Sequence, residues 1–289
     1  MNQKLKISII TPNYNYAEFI RQTIESIIAQ NYDNVEHIIV DDCSTDNSVE
    51  LINTYKKKHP ERIILLKNST NKGQTPSINK ALRHATGDII GWINSDDYYC
   101  PDIFGEIAAA FEKNANTDIV YGPVNMVDLE GRFVYKLRPL KFNYKRAAFT
   151  GFTNALTSNG VFWRKKLTDQ RGLMMDDLRC CMDATYFAKI TYQAGMRKIK
   201  KPIANHRKHI TLASTLDPDW ETTMHNERKL AWHIAADNLF PNKKPSPLKL
   251  KLMKIFYSWQ HRLLKNLMFY PVLQKIEKWQ YHTKKNKNG

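Results

Sequence analysis

The chain contains no uninterrupted apolar run approaching the roughly 20 residues needed to span a bilayer, so no membrane-crossing helix is expected. Met1 to Lys6 leads straight into a strand-like segment, without the apolar stretch and small-residue cleavage site of a secretory signal. The four cysteines, at 43, 100, 180 and 181, have no Cys-x-x-Cys spacing and no regular framework. That argues against a disulfide scaffold or a zinc site and for a reducing compartment, so a cytoplasmic location is expected. No internal repeat is visible. The loop from Thr11 to Tyr16 has no glycine, which counts against the glycine-rich phosphate cradle of a nucleotidyltransferase. Acids are scarce at one end only: residues 241 to 289 hold twelve Lys or Arg against the single Glu277, which accounts for eleven of the sixteen formal positive charges. The remainder is only mildly basic and carries acids at its strand ends, which would repel a polyanion, so no nucleic-acid partner is expected.

A chain of 289 residues with 42% hydrophobic content can bury a full-sized core. Four strand-like runs, Lys6 to Ile10, Val35 to Val40, Arg62 to Leu66 and Ile89 to Ile93, each end in a polar cluster. Helical apolar spacing follows the first three, over Tyr16 to Gln30, Thr45 to Lys58 and Thr75 to Ala85. Alternating strand and helix predicts an α/β fold with a mostly parallel sheet and right-handed crossovers. The carboxyl ends of such strands share one edge, where ligands bind, so Thr11, Asp42, Asn71, Asp96 and Asp97 should converge.

The fourth run meets two adjacent carboxylates in Asn94-Ser95-Asp96-Asp97. Neighbouring carboxylates repel unless a cation or a hydrogen-bonding ligand lies between them, and oxygen ligands suit Mg²⁺ or Mn²⁺. Taken alone, an Asp-Asp pair reads more readily as an acidic turn, which is far commoner than a metal site. Asp183 stands near the start of a helical pattern, where an acid is also favoured by the macrodipole.

Together, Ile10-Thr-Pro-Asn-Tyr-Asn15, Val40-Asp-Asp-Cys-Ser-Thr-Asp46, Asn71-Lys-Gly73, Asn94-Ser-Asp-Asp97, Asp183 ahead of Tyr186-Phe187, and Arg207-Lys-His209 resemble the inverting nucleotide-sugar glycosyltransferases of family 2. The resemblance covers roughly residues 5 to 215 and implies a GT-A, Rossmann-like fold. It implies a catalytic domain over 1–215, with a nucleotide-binding half to about 100 and an acceptor half beyond, followed by a helical basic extension over 216–289. By the same resemblance, Thr11, Pro12, Tyr14, Asp42, Asn71, Lys72, Ser95 and Asp96 would bind the nucleotide. Asp42 would accept a hydrogen bond from uracil, which favours a UDP-sugar donor, while Asp41 would be structural. Asp97 and His209 would ligate Mn²⁺ or Mg²⁺, with His206 as the rival histidine and Arg207 or Lys208 paired with phosphate. Asp183 would be the general base, ahead of its neighbours Asp176 and Asp177. The implied reaction is transfer to a glycan or lipid-linked acceptor in bacterial-type surface polysaccharide synthesis. The competing readings are a catalytically inactive nucleotide-sugar-binding relative acting as a membrane-bound partner, or a nucleotidyltransferase.

The region 140 to 170 should serve the acceptor, with Phe142, Tyr144, Phe149, Phe152 and Trp163 available to stack on a sugar, whereas Phe162 reads as core. After a helix from about Pro218 to Leu239 and a linker over Pro241 to Pro247, the last segment is amphipathic. Leu248, Leu252, Ile255, Phe256, Trp259, Leu263 and Leu267 share one face; Lys251, Lys254, Ser258, His261, Arg262 and Lys265 share the other. Such a helix over 246–289, with Trp259 and Trp279, suits peripheral attachment to an anionic membrane at the inner face of the cell membrane, or else packs its stripe on the catalytic domain.

Overall fold

The structure, a computed structural model, describes residues 4–152, 155–208, 219–242 and 245–264. Strands β1 (Ile7–Asn13), β2 (Val35–Asp41), β3 (Ile63–Lys67) and β4 (Ile89–Trp92) pair in parallel, with β1 between β2 and β4. Every residue of β1, β2 and β4 is buried, as a sheet covered on both faces requires. One cover is α1 (Ala17–Ile28) with α2 (Ser48–Lys58), which meet the sheet through Ile20, Ile24, Ile39, Ile52 and Ile63. The other includes α3 (Gln74–His84), whose Ile78, Ala81 and Leu82 pack with Ile10, Ile38, Val40 and Trp92. These boundaries fall within three residues of the predicted ones at every end.

The chain leaves β1 for β2 and β3 on one side and returns to β4 on the other, so the strand order reverses at β1, which is where α/β sheets open a ligand crevice. Gly91 sits inside β4 because Phe162 crosses it: a Cβ there would lie 2.4 Å from the ring.

The sheet is mostly parallel, as predicted, with one exception. Among its seven strands, β9 (Val161–Arg164) lies antiparallel between β4 and β6 (Ile119–Tyr121), and β10 (Met196–Lys198) closes that edge. A second, four-stranded sheet was not anticipated. It runs β5 (Tyr98–Tyr99), β11 (Ala204–Arg207), β7 (Val124–Val127), β8 (Phe133–Leu137). Its strands are two to five residues long, too short for a periodicity to stand out.

The remaining helices are α4 (Phe104–Glu112), α5 (Tyr144–Thr150), α6 (Lys165–Arg171), α7 (Met182–Ile190) and α8 (Trp220–Leu239). Helix α8 shares the main core through Ala231 and Ala235. The aromatic residues expected to stack on an acceptor divide. Phe152 and Trp163 are fully buried beside Phe162's strand, and the Trp163 indole donates to Thr168 at 2.9 Å; they serve packing, as large rings in a covered sheet do. Phe142 and Tyr144 pack edge-on or tilted against Tyr121, Phe152 and Tyr192.

Residues 247–264 form a terminal helix. It leans on the body through the face opposite the apolar stripe: Tyr257 stacks on Phe149 at 5.2 Å between centroids, with an interplanar angle of 13°. Leu248, Leu252, Ile255, Phe256, Trp259 and Leu263 are 44% to 67% exposed. Leu267, Lys265 and Trp279 lie outside the described residues.

Candidate functional site

At the carboxyl edge, neighbouring β1 and β2 end in register at Asn13 and Asp41. Asp41 is structural: its carboxylate accepts from the Asn13 amide at 2.9 Å and from the Ser44 hydroxyl and N–H at 2.6 and 3.0 Å. Asp42 instead gathers the loop after β3. Its Oδ1 accepts from the Asn68 amide at 2.7 Å and the Lys72 N–H at 2.8 Å, and its Oδ2 from the Gly73 N–H at 2.7 Å. Gly73, at φ +91°, turns the loop so that successive N–H groups aim at one carboxylate. A carboxylate has about four acceptor positions, so Asp42 retains one.

The sequence candidates for nucleotide contact then separate by depth. Thr11 is fully buried with its hydroxyl 2.9 Å from Nε2 of His37, an imidazole that burial pushes down to about 3 and so keeps neutral. Ser95 is buried and donates to the Pro12 carbonyl at 2.7 Å, and Pro12 is itself buried. The Thr11 and Ser95 side chains tie the strand ends together. Tyr14 is 43% exposed, Asn71 and Lys72 are exposed, and Asp96 is partly exposed. Tyr16, absent from the candidates, faces the same place: burial, then the charges of Asp96 and Asp97, push its hydroxyl up from the ordinary value.

Asp97 is 1% exposed and almost fully engaged. Its Oδ1 accepts from the Arg207 N–H at 2.8 Å, and its Oδ2 lies 2.9 Å from the Asn159 amide and 3.1 Å from Nδ1 of His206. Strand β11 delivers His206 and Arg207 because it pairs with β5, which starts at the residue after Asp97. Burial pushes the Asp97 carboxyl up, while Asp97 pushes the His206 imidazole up to about 9. Arg207 is buried: it donates to the carbonyls of Asp96 and Leu129 and to Gln22, and lies 4.8 Å from the Phe19 centroid and 5.6 Å from that of Tyr98. It is a clamp between the sheets, not a free phosphate partner. Of the two histidines, His206 is the one placed on Asp97; His209 lies outside the described residues.

Among the described residues, no three His, Cys, Asp or Glu side chains could hold an ion between them. The donor set at this edge is the two carboxylates of Asp96 and Asp97, and Oδ1 of Asn159 is buried without a hydrogen-bond partner beside them. That is no all-protein cage. It does fit a divalent ion of the Mg²⁺ or Mn²⁺ kind, which binds through one or two carboxylates and completes its shell with phosphates and water.

Asp183 opens α7 with its Oδ1 accepting from the Ala184 N–H at 2.7 Å. Its carboxyl is partly accessible yet ringed by protein. Burial pushes it up to about 6, against the lowering effect of backbone N–H groups and of Arg228 on α8. The segment before it is tied to α3, since Thr75 donates to the Leu178 carbonyl at 2.9 Å and Asn79 to Met174 and Asp176 at 2.9 and 2.6 Å. That bond gives Asp176 a structural task.

Glu227 is the residue that sequence reading missed. From the middle of α8 its carboxylate accepts from the N–H groups of Arg179, Cys180 and Cys181 at 2.8, 2.8 and 2.6 Å. It therefore fixes the amino end of α7, where the dipole also favours an anion. The one available signal was an acid on a helix otherwise contributing alanines to the core. Glu227→Ala will strand these N–H groups at about 1–3 kcal/mol each, so the melting temperature should fall by several degrees. A melting curve unchanged from the parent would refute this cap.

The family model described as "Glycosyl transferase family 2" matches residues 8–170. The putative glycosyltransferase EpsE of Bacillus subtilis is 38% identical over 120 residues, covering 42% of this chain and 43% of that protein. The Escherichia coli protein WfaP, a UDP-Glc:alpha-D-GlcNAc-diphosphoundecaprenol beta-1,3-glucosyltransferase, is 43% identical over 93 residues, covering 32% of this chain and 36% of its own. The matches thus span less than half the length of these relatives. Among solved structures, S. aureus TarS 1-349 in complex with UDP aligns with a TM-score of 0.64 at 19% identity, over 95% of this chain and 78% of that one. The mannosyltransferase PcManGT from Pyrobaculum calidifontis, in complex with GDP-Man and Mn²⁺, aligns at 0.55 and 18%, over 92% and 88%. At such identities the likeness establishes the fold.

Proposed function

From the premise that the chain belongs to glycosyl transferase family 2 and has the GT-A fold, we propose that it moves a sugar, with inversion, from a nucleoside-diphosphate sugar to a hydroxyl of a glycan or lipid-linked acceptor. The observation that carries this is the reversal of strand order at β1. It brings Tyr14, Asp42 and the Ser95 to Asp97 turn to one edge, and the segment before Asp183 is tied to α3, the helix that follows the loop bound to Asp42. Tyr14 supplies a ring for the base. The open acceptor position of Asp42 suits the ring N–H of uracil, and Lys72 suits a phosphate. A uridine diphosphate donor is the reading this supports.

In the reaction, the acceptor oxygen attacks the anomeric carbon from the Asp183 side and its proton passes to the Asp183 carboxylate. The bond between that carbon and the phosphate oxygen breaks in the same displacement, and its electron pair leaves with the nucleoside diphosphate. A divalent ion held through the Asp96 and Asp97 carboxylates would supply charge neutralisation for the leaving diphosphate.

A melting-temperature screen of nucleoside diphosphates with Mn²⁺ tests the donor. UDP should raise the transition, by about 2.7 kcal/mol of stabilisation at a hundredfold excess over Kd. A shift with GDP or ADP but none with UDP would reject the uracil reading, and no shift with any of them would reject the donor site.

The exposed stripe of the terminal helix, flanked by Lys251, Lys254 and Arg262, supports peripheral attachment to an anionic membrane. Phe256→Asp with Trp259→Asp should abolish co-sedimentation with phosphatidylglycerol vesicles at unchanged melting temperature, because both side chains face solvent. Undiminished sedimentation would discard this anchor.

A further inference from the structure

A cavity of about 680 Å³ lies between α5, α8 and the terminal helix, away from the Asp42 and Asp97 edge and against Ala184, the neighbour of Asp183. That volume is in the range of small-ligand sites. Its walls are of two kinds. Phe149, Phe152 and Trp232 make an apolar side, with Phe149 and Trp232 in ring contact at 4.8 Å. Arg228, Lys229, Lys251 and Lys254 bring four cations from two helices to its lining. The four are exposed, and none forms an ion pair among the described residues.

Cations concentrated beside an apolar chamber repel one another unless an anion is present, while the aromatic wall gains by excluding water. A free sugar offers no charge to the first wall, and an inorganic anion offers nothing to the second. A lipid bearing phosphate groups satisfies both. Arg228 belongs both to this wall and to the charges acting on the Asp183 carboxyl, so an occupant here lies beside the proposed base. The terminal helix contributes Leu250, Lys251 and Lys254 to the cavity and turns its apolar stripe outward. The helix that lines the cavity is thus the one whose opposite face is expected to meet a bilayer.

We propose that this cavity is the acceptor site and that it takes the phosphate-bearing headgroup of a lipid, with the diphosphate or phosphate on Arg228, Lys229, Lys251 and Lys254 and the first part of the hydrocarbon chain on Phe149 and Trp232. This rests on the glycosyltransferase reading and narrows its acceptor to a lipid-linked one.

The test is calorimetric titration of the full chain with farnesyl diphosphate, inorganic pyrophosphate and farnesol separately, alongside the UDP melting shift. Farnesyl diphosphate should bind at least about tenfold more tightly than either of the others. Lys251→Glu with Lys254→Glu should weaken it by at least about tenfold while the UDP shift stays unchanged. Pyrophosphate binding as tightly as farnesyl diphosphate would reduce the site to a bare anion site, and equal binding of farnesol would reduce it to a greasy one; either overturns the proposal. So does indifference to the double charge reversal. A normal UDP shift without farnesyl diphosphate binding sinks this acceptor site alone, whereas loss of the UDP response sinks the parent reading.

Discussion

Asp183→Asn will lower kcat by about 10²- to 10⁴-fold, the usual worth of a positioned general base, and leave nucleotide binding unchanged. The asparagine is nearly isosteric, and its Oδ1 can still accept from the Ala184 N–H, so the start of α7 is kept and only the proton acceptor is lost. The parent enzyme should also show its base in the pH profile. Burial holds the Asp183 carboxyl up at about 6, and only the ionised form accepts the proton. Below about pH 6, kcat/KM should therefore fall tenfold per pH unit, and above it the profile should level. The stability linkage has the opposite slope. A carboxyl with a folded value above its unfolded one is stabilised when neutral, so its contribution is present in acid and declines as pH rises from about 4 to about 6. Single-turnover transfer by the Asn variant within a few-fold of the parent would remove Asp183 from the mechanism.

Asp97→Ala will damage both turnover and stability. The carboxylate is buried and anchors three groups, the Arg207 N–H, the Asn159 amide and the His206 ring. Deleting one partner of a buried charged pair costs about 3–5 kcal/mol, so the melting transition should fall by far more than for a surface acid. Turnover should fall by about 10²-fold or more, because the charge facing the leaving diphosphate is lost with it. Asp97→Asn separates the effects: the amide keeps one acceptor, so melting should partly recover while turnover does not. Recovery of both in the Asn variant would mean that the site needs shape rather than charge at this position.

Much of the donor edge was legible because the information is local. The isoleucines at 7, 9 and 10 put apolar side chains on both faces of a strand, as in one covered on both sides, and the polar residues that end it lie within a few positions. The pairing of Asp41 with structure and Asp42 with the next loop also follows from chain geometry, since successive side chains at a strand end point opposite ways. What could not be read was depth. Thr11 and Ser95 have the hydroxyls a ligand site would use, yet they bond to neighbouring strands, Thr11 to His37 of β2 and Ser95 to Pro12 of β1. Phe152 and Trp163 looked like sugar platforms and are core. A side chain's type does not say whether a second layer covers it.

Glu227, and the contact of His206 with Asp97, were hidden for another reason. Each acts far along the chain, Glu227 on the N–H groups of residues 179 to 181, 46 to 48 positions away, and His206 on Asp97, 109 positions away. No periodicity connects such partners.

By itself the sequence determined the alternation of strands and helices, their boundaries to a few residues, the acids at the strand ends and the amphipathic basic tail, because apolar spacing and turn chemistry are properties of neighbours in the chain. Only the tertiary structure decided that β9 runs against its neighbours, that a short second sheet carries His206 and Arg207 to Asp97, that Glu227 secures the helix of Asp183, and that the terminal helix turns its stripe outward. Those outcomes depend on which buried polar groups find partners across long loops, and that balance exists only once the chain has folded.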